Sequence, residues 1–197
     1  ESLPSRGLGD VYKRQILEER GQIELTTTPY YHPIMPLLMM DGWTFEDGIY
    51  VGKDSWPEDV EMHLNKGVSL FQQHTGVVPS GMWPSEQAVS PAMVQPVSNV
   101  GIDWMVSDEM ILEQSKDVNG LNPNVEDPRV LFTPWKVTGD EGGEVSVIFR
   151  DRVISDRIAF EYGSMEPVDA VDDFLGYMDN VRQELLDLGE NPSEHLI

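Results

Sequence analysis

The sequence predicts an α/β fold in which a parallel sheet is built from strands that alternate with helices. Three observations lead to this expectation. Short β-rich runs and amphipathic helical stripes follow one another along the 197 residues, with no internal repeat or long low-complexity segment. The length favours one domain, or at most one and a half. Five Trp, six Tyr and six Phe supply the large apolar side chains that a hydrophobic core requires.

The first half of the chain begins with one predicted strand and two predicted helices. Residues 22–26 form the strand, and the apolar residues 33–40 form a short helix. Ser55 and Glu58 make a capping box at the start of the second helix, which Gly76 ends. The apolar stripe of that helix steps by four, four and three residues. It consists of Val60, Leu64, Val68 and Phe71.

The middle of the chain continues the alternation. Residues 77–82 and 103–107 are predicted strands. Between them, residues 90–100 form a helix with Pro91 at its first position. Residues 109–114 then form a short helix after an acidic turn.

The last third of the chain predicts a hairpin and a long helix. Residues 130–137 and 144–149 are β-rich and are joined by a Gly-Asp-Glu-Gly-Gly segment, which is typical of a β-hairpin. The helix that follows carries apolar residues at steps of three and four, with acidic residues on its opposite face. The apolar positions are Val168, Val171, Leu175, Met178, Val181, Leu185 and Leu188.

Composition excludes several classes of function. With 35 acidic and 13 basic residues the formal charge is −22, so no nucleic-acid partner is expected, because phosphates require a Lys/Arg-rich face. The absence of cysteine removes disulfides, thiolate metal sites and cysteine nucleophiles. The longest apolar run, residues 34–40, is far shorter than the roughly 18–20 residues that span a bilayer. With no signal peptide visible, we expect a cytoplasmic protein without a membrane partner.

Residues 1–15 differ from the rest of the chain. They carry three of the thirteen basic residues, and no helix or strand period is clear in them. The stretch resembles translated adapter sequence, so we expect an artefactual or disordered leader, with a genuine flexible N-terminus as the alternative. At the other end, residues 195–197 follow a turn signal and look like the start of another strand.

Two carboxylates that follow predicted strands are candidates for catalysis, because α/β folds place their chemistry at the carboxyl ends of strands. Glu86 comes directly after residues 77–82, with Trp83 three residues before it. An indole beside a carboxylate is typical of a sugar site, where the ring stacks on the sugar and the carboxylate acts at the anomeric carbon. The alternative is a simple loop with Ser85 as a helix N-cap.

Asp151 follows the strand at residues 144–149, and Asp156 lies five residues later. Glycoside hydrolysis uses two carboxyl groups that flank the scissile bond. Glu86 and Asp151 are 65 residues apart, about two βα units, so neighbouring strands could bring them to one site. The alternative is an ion-paired surface loop, because three arginines lie close in sequence. They are Arg150, Arg152 and Arg157.

Several motifs in a fixed order make the chain resemble glycoside hydrolase family 57, the family of α-amylases, amylopullulanases and 4-α-glucanotransferases. The motifs are GQIE at 21–24, TPYYHPI at 28–34, WPSE at 83–86, SDE at 107–109, FRD at 149–151 and ISDRI at 154–158. The resemblance covers about residues 16–190. It implies a partial (β/α)7 barrel, an incomplete TIM-like barrel, with residues 16–197 as a fragment of the catalytic domain.

The resemblance also implies residue roles. Glu86 matches the family's nucleophile, and Asp151 matches the acid/base, with Asp156 as the alternative assignment. Three further residues match positions that line the sugar site. They are Glu24, His32 and Trp83. The family's N-terminal His-Gln-Pro motif and its later C-terminal motif are missing, and Ala159 stands where many relatives have Gly, so an inactive fragment is an alternative.

The implied reaction is retaining hydrolysis of α-glucans, at α-1,4 and also α-1,6 bonds, through a covalent glycosyl-enzyme. It places the two carboxyl groups about 5–5.5 Å apart and raises the pKa of the acid by burial and nearby carboxylates. It requires no cofactor and no metal. A 4-α-glucanotransferase with the same site and a non-catalytic glucan-binding fragment remain alternatives. A metal-dependent deacetylase is disfavoured, because no His lies near the strand-end Asp residues.

Overall fold

The computed structural model describes residues 5–39, 43–44, 50–51 and 55–196. The α-helices are α1 Ser5–Glu19, α2 Met35–Met39, α3 Pro57–Thr75, α4 Pro91–Asn99, α5 Glu109–Gln114, α6 Pro128–Leu131, α7 Arg152–Asp156 and α8 Pro167–Asp187. The strands are β1 Trp43–Thr44, β2 Tyr50–Val51, β3 Gly81–Met82, β4 Trp104–Asp108, β5 Trp135–Thr138 and β6 Glu144–Arg150. Four short helical turns complete the described elements. They are Ser85–Gln87, Arg157–Glu161, Tyr162–Ser164 and Pro192–Glu194.

Strands β3 to β6 form a sheet in the order β3-β4-β6-β5. Strands β3 and β4 are parallel, with Gly81 opposite Trp104 and Met82 opposite Met105. Only five residues join β5 to β6, which allows only an antiparallel pair, so the predicted hairpin is present and the sheet is mixed. The predicted α/β class is confirmed, whereas closure of this sheet into a barrel stays a prediction.

The chain divides into two compact units. The first comprises Glu1–Met105 and Val137–Val145, and the second comprises Val106–Lys136 and Ser146–Ile197. Each of the three long strands β4, β5 and β6 contributes residues to both units. The predicted domain, residues 16–197, stays a prediction.

Helices α2, α3 and α4 pack against one another in the first unit. The predicted stripe of α3 faces this core, where Val60 and Leu64 are fully buried. The helix ends at Gly76, whose φ of 79° is left-handed, as the sequence predicts. The capping box is wrong, because α3 begins after Trp56 and the Ser55 hydroxyl instead donates to the carbonyl of Leu38 at 3.4 Å.

The second unit buries the C-terminal half of α8. Val181 and Leu185 on this helix are buried together with Leu112, Leu131 and Phe149. Helix α6 packs against α8. The first part of the predicted α8 stripe is exposed instead: Val168, Val171 and Leu175 are each more than half exposed.

Three predicted strands differ from the structure. Of residues 77–82, only Gly81–Met82 form a strand. Residues 22–26 form no strand, and the parallel bridge in this region joins Thr27 to Met82. The β-rich run at 130–137 is divided, because Asp127 accepts a hydrogen bond from the Arg129 N–H and starts helix α6 before β5 begins. At residues 128–131 a local hydrogen bond to the Asp127 side chain thus replaces the expected strand pairing.

Helix α1 covers most of the segment 1–15, for which the sequence predicts no regular element. The side-chain amide of Gln15 on this helix donates a hydrogen bond to the carbonyl of His74, in the last turn of α3, at 3.4 Å. Whether residues 1–15 are a separate leader stays a prediction. None of the helices in the described residues has the length and apolar character that crossing a membrane requires.

Gly81 lies against the indole of Trp104, so we expect Gly81→Ala to destabilise the protein. A Cβ at this position would lie 2.3 Å from two ring carbons of Trp104, whose N–H is held by Glu24 at 2.9 Å. We expect the free energy of unfolding, measured in urea, to fall by about 1–3 kcal/mol. Gly176→Ala is the control, because it meets nothing within 4 Å in helix α8 and should stabilise slightly. Equal effects of the two substitutions would contradict the packing argument.

Candidate active site

Glu86 lies on a tight turn that directly follows β3. The turn Ser85–Gln87 holds two consecutive residues in the left-handed region, with φ 55° at both Glu86 and Gln87. Such values are costly for residues other than glycine and are found most often at functional sites. Ser85 and Gln87 are buried, whereas the Glu86 side chain is 71% exposed. The carboxylate of Glu86 is therefore open to solvent, while the residues on either side of it are packed in the interior.

The structure brings His32 to Glu86. His32 Nε2 lies 3.8 Å from Glu86 Oε1, and His32 Nδ1 lies 3.0 Å from the hydroxyl of Thr28. His32 is also left-handed, with φ 54°. Both side chains are well exposed, so this pair adds little stability. Its significance is geometric, because the imidazole can donate to the carboxylate or to a group bound beside it.

The two loops are joined through β3. The N–H of Thr27 donates to the Gly81 carbonyl at 3.0 Å, and the N–H of Trp83 donates to the Thr27 carbonyl at 2.8 Å. These bonds place the segment that ends in His32 alongside the strand that ends before Glu86. Trp83 is 44% exposed, so its indole has a free face. Stacking of a sugar on that face stays a prediction.

Glu24 lies at the other end of the same strands. Its carboxylate accepts hydrogen bonds from the hydroxyl of Ser80, which precedes β3, and from the indole N–H of Trp104 at the start of β4. These partners lie at the amino ends of the strands, whereas Glu86 follows the carboxyl end of β3. The structure therefore does not group Glu24 with Glu86 and His32, and a role for Glu24 in sugar binding stays a prediction.

Asp151 follows β6 in the second unit and is buried, with 6% of its surface exposed. Its Oδ1 accepts hydrogen bonds from the N–H groups of Val153 at 2.7 Å and Ile154 at 3.3 Å. These contacts make Asp151 the N-cap of α7. Its other oxygen, Oδ2, accepts a hydrogen bond from the hydroxyl of Tyr177. All of these donors hold the carboxyl group in one orientation.

Glu109 is the second carboxyl group beside Asp151. Its Oε2 accepts a hydrogen bond from the N–H of Arg152 at 3.0 Å. Burial raises the pKa of Glu109, the Arg152 N–H opposes this rise, and the negative charge of Asp151 adds to it. Burial and the contact with Asp151 likewise raise the pKa of Tyr177, so its phenol remains a proton donor at neutral pH.

The arginines of this region pair with other carboxylates. Arg150 Nε lies 2.7 Å from Asp108 Oδ2, and Asp108 Oδ1 also accepts from the N–H of Met110. Arg157 lies 2.9 Å from Asp173 Oδ2. The predicted ion-paired loop is therefore partly present, but these two pairs do not involve Asp151. Asp156, the alternative acid/base, is half-buried at the last position of α7.

A cavity of about 230 Å³ lies beside Asp151 within the second unit. Its walls include Glu109 and Tyr177 as well as apolar residues such as Val125 and Phe132. Acidic and aromatic groups thus line one concave surface next to the buried carboxyl group. Among the described residues, no group of three or more His, Asp or Glu side chains is arranged to hold a metal ion.

Comparison with known proteins identifies the family. The model of glycosyl hydrolase family 57 matches residues 10–194, which is almost the whole chain. This chain belongs to glycosyl hydrolase family 57. The resemblance that the sequence motifs carry is therefore confirmed.

Relatives within family 57 include enzymes with different reactions. Alpha-amylase 1 of Dictyoglomus thermophilum is 27% identical over 97 residues, 49% of this chain and 12% of that protein. The alpha-amylase AmyC of Thermotoga maritima has a similar structure, with TM-score 0.56 and 18% identity over 75% of this chain and 23% of its own. A 4-alpha-glucanotransferase from Thermococcus litoralis also has a similar structure, with TM-score 0.56 and 20% identity. The similarity covers 79% of this chain and 20% of the glucanotransferase chain. This family 57 chain thus spans about a quarter or less of these relatives.

The two predicted catalytic residues of the family 57 chain lie in different units, Glu86 in the first and Asp151 in the second. Their expected separation therefore stays a prediction. Tyr177 was not singled out from the sequence, and Glu109 was noted only as part of the SDE motif at 107–109. A signal for Tyr177 exists, because it lies four residues before Val181 and eight before Leu185, on the face of α8 that is buried.

The raised pKa of Glu109 predicts a pH-dependent stability. Because its pKa in the folded state lies above the ordinary 4.5, the folded state holds more protons than the unfolded state as pH rises past that value. The free energy of unfolding should therefore fall with rising pH over this range. Glu109→Gln should remove this decline, since the amide oxygen can still accept from Arg152. Urea unfolding at a series of pH values measures the effect.

Glu113→Gln on the same helix α5 is the matched control, because it removes the same charge from an exposed position. It should leave the decline in place. Identical pH dependence in the Glu109 variant and the unaltered protein would show that the half-buried carboxyl group of Glu109 does not have a raised pKa.

Proposed function

We propose that this chain carries the catalytic carboxyl groups of a retaining enzyme that acts on α-glucans, with Glu86 as nucleophile and Asp151 as acid/base. The observation that supports this proposal best is that, in a chain of family 57, Glu86 lies four residues after the end of β3 and Asp151 directly follows β6. The surroundings of the two groups differ. Glu86 is exposed on a strained turn, and Asp151 is buried among fixed donors.

In the first step the ionised carboxylate of Glu86 attacks the anomeric carbon of the sugar. A bond forms between this carbon and a Glu86 oxygen, while the bond to the leaving oxygen breaks. Asp151 gives its proton to that leaving oxygen. His32, 3.8 Å from Glu86, is placed to donate a hydrogen bond to a sugar hydroxyl near the nucleophile.

In the second step Asp151 takes a proton from water or from an acceptor sugar, whose oxygen then attacks the anomeric carbon and frees Glu86. Water gives hydrolysis and an acceptor sugar gives transfer. Both reactions are represented by the names of the relatives, an alpha-amylase and a 4-alpha-glucanotransferase. We propose an α-1,4-glucan as the substrate, α-1,6 bonds as a further target, and a (β/α)7 barrel as the complete catalytic fold.

The test is the product profile of the full-length protein on maltooligosaccharides. Shorter products alone indicate a hydrolase, and longer products indicate a transferase. NMR of the first products should show the α configuration, because two successive inversions retain it. Products of the β configuration would contradict the retaining mechanism. Binding of the glucan without any product would favour a non-catalytic glucan-binding protein.

A further inference from the structure

The carboxyl group of Asp151 has an asymmetric environment. Oδ1 accepts two backbone hydrogen bonds, from Val153 and Ile154, which occupy both of its lone pairs. Oδ2 accepts one hydrogen bond, from the hydroxyl of Tyr177 on α8. A proton carried by Asp151 therefore belongs on Oδ2, the oxygen that faces Tyr177.

The ring of Tyr177 also contacts Arg157, in addition to the hydrogen bond from its hydroxyl to Asp151. The guanidinium carbon of Arg157 lies 5.5 Å from the centre of the Tyr177 ring, within the range of a cation–π contact. Arg157 is in turn anchored by Asp173, at 2.9 Å. The ring therefore has a defined position between the helical turn Arg157–Glu161 and Asp151, and its hydroxyl is directed to one oxygen.

We propose that Tyr177 is a positioning residue that selects Oδ2 of Asp151 as the proton-carrying atom and adjusts the ease with which this atom loses its proton. The inference rests on the proposed role of Asp151 as acid/base. A phenol that donates to the carboxylate favours the ionised form. This hydrogen bond would therefore help Asp151 to give its proton to the leaving sugar oxygen in the first step and would oppose its uptake of a proton in the second, which sets the balance between the two steps.

Other charged groups face the same carboxyl group and act on it as well. Glu109 on α5 contributes a neighbouring negative charge, and Arg157 contributes a positive charge behind Tyr177. Arg152, next in the chain to Asp151, is a further cation. Glu126 and Glu184 line the same cavity. None of these groups is changed by Tyr177→Phe, so the substitution isolates the effect of one hydroxyl.

The test compares Tyr177→Phe with the control Thr75→Val in the full-length protein. We expect kcat on maltooligosaccharides to fall about tenfold to a hundredfold in Tyr177→Phe, with little change in KM, because a hydrogen bond to a charged group is lost. The limb of the pH profile that reports Asp151 should move to higher pH. The Thr75 hydroxyl donates to the carbonyl of Phe71 at 2.8 Å at the end of α3, outside the unit that holds Asp151, so Thr75→Val controls for the loss of a hydroxyl hydrogen bond elsewhere. It should leave kcat and the profile unchanged.

A measurement without turnover separates this inference from the proposed function. The carboxyl carbon of Asp151, assigned with Asp151→Asn, can be titrated by ¹³C NMR in both proteins. If the titration of Asp151 moves to higher pH in Tyr177→Phe, the positioning role is supported. If at the same time the unaltered protein cleaves no glucan, only the proposed function fails. Normal kcat, pH profile and titration in Tyr177→Phe would overturn the inference while leaving the proposed function intact. A structural role alone would lower stability without moving the titration.

Discussion

Glu86→Gln is expected to lower the turnover of α-1,4-glucan by roughly 10⁴-fold or more, because an amide cannot serve as the nucleophile. The fold should not change, since the Glu86 side chain is 71% exposed and its turn is supported by buried neighbours. Release of reducing ends measures the activity, and urea unfolding measures the stability. The control is Glu61→Gln, an exposed glutamate on α3, which should behave as the unaltered protein. Unaltered turnover in Glu86→Gln would show that Glu86 is not the nucleophile.

Azide can distinguish a nucleophile from an acid/base. In Glu86→Ala, azide can enter the space left by the carboxylate and attack α-glucosyl fluoride from that face. A carbon–nitrogen bond forms, fluoride leaves, and the product should be β-glucosyl azide. Formation of α-glucosyl azide would instead indicate that a covalent intermediate still forms, and another residue would then have to be the nucleophile.

Asp151→Asn should lower kcat on an unactivated glucan by about 10²–10⁴-fold, the usual contribution of a general acid or base. The first step on α-glucosyl fluoride should lose much less, because fluoride leaves without a proton. The asparagine can still accept from Val153 and Ile154 and is a good N-cap, so α7 should remain folded. Rapid-mixing kinetics of fluoride release, compared with steady-state glucan cleavage, gives the two rates.

Asp156→Asn is the matched variant for this experiment, because Asp156 is the alternative acid/base at the other end of α7. In Asp151→Ala, azide should attack the glycosyl-enzyme and yield α-glucosyl azide. If Asp156→Ala yields this product and Asp151→Ala does not, the roles of the two residues are exchanged. If both variants cleave glucan normally, neither is the acid/base.

Local sequence patterns were enough to locate most elements. The apolar stripe and terminal glycine of α3 predict where that helix lies and ends, and the helix Glu109–Gln114 has the predicted bounds. The motifs that carry the family resemblance were also readable, because they are short runs of adjacent residues. Glu86 and Asp151 were singled out for the same reason, as carboxylates that follow β-rich runs.

The hydrogen-bond and strand partners that lie far apart in the chain could not be predicted from the sequence. Ser55 has the sequence of an N-cap, yet its hydroxyl bonds to Leu38, seventeen residues earlier. Residues 22–26 have a strand-like composition, yet only Thr27 bridges to Met82. In both cases the competing interactions differ by little energy locally, so contacts made by packing decide between them.

The sequence by itself determined the α/β class, the family and two candidate carboxylates, because these depend on residue types in local order. Only the tertiary structure decided what surrounds those carboxylates. In the structure His32 lies beside Glu86, and the hydroxyl of Tyr177 donates to Asp151. Glu24 instead accepts hydrogen bonds from Ser80 and Trp104. The physical reason is that these partners lie 26 to 80 residues apart in the chain. A hydrogen bond over such distances forms only once the hydrophobic core has brought the segments together.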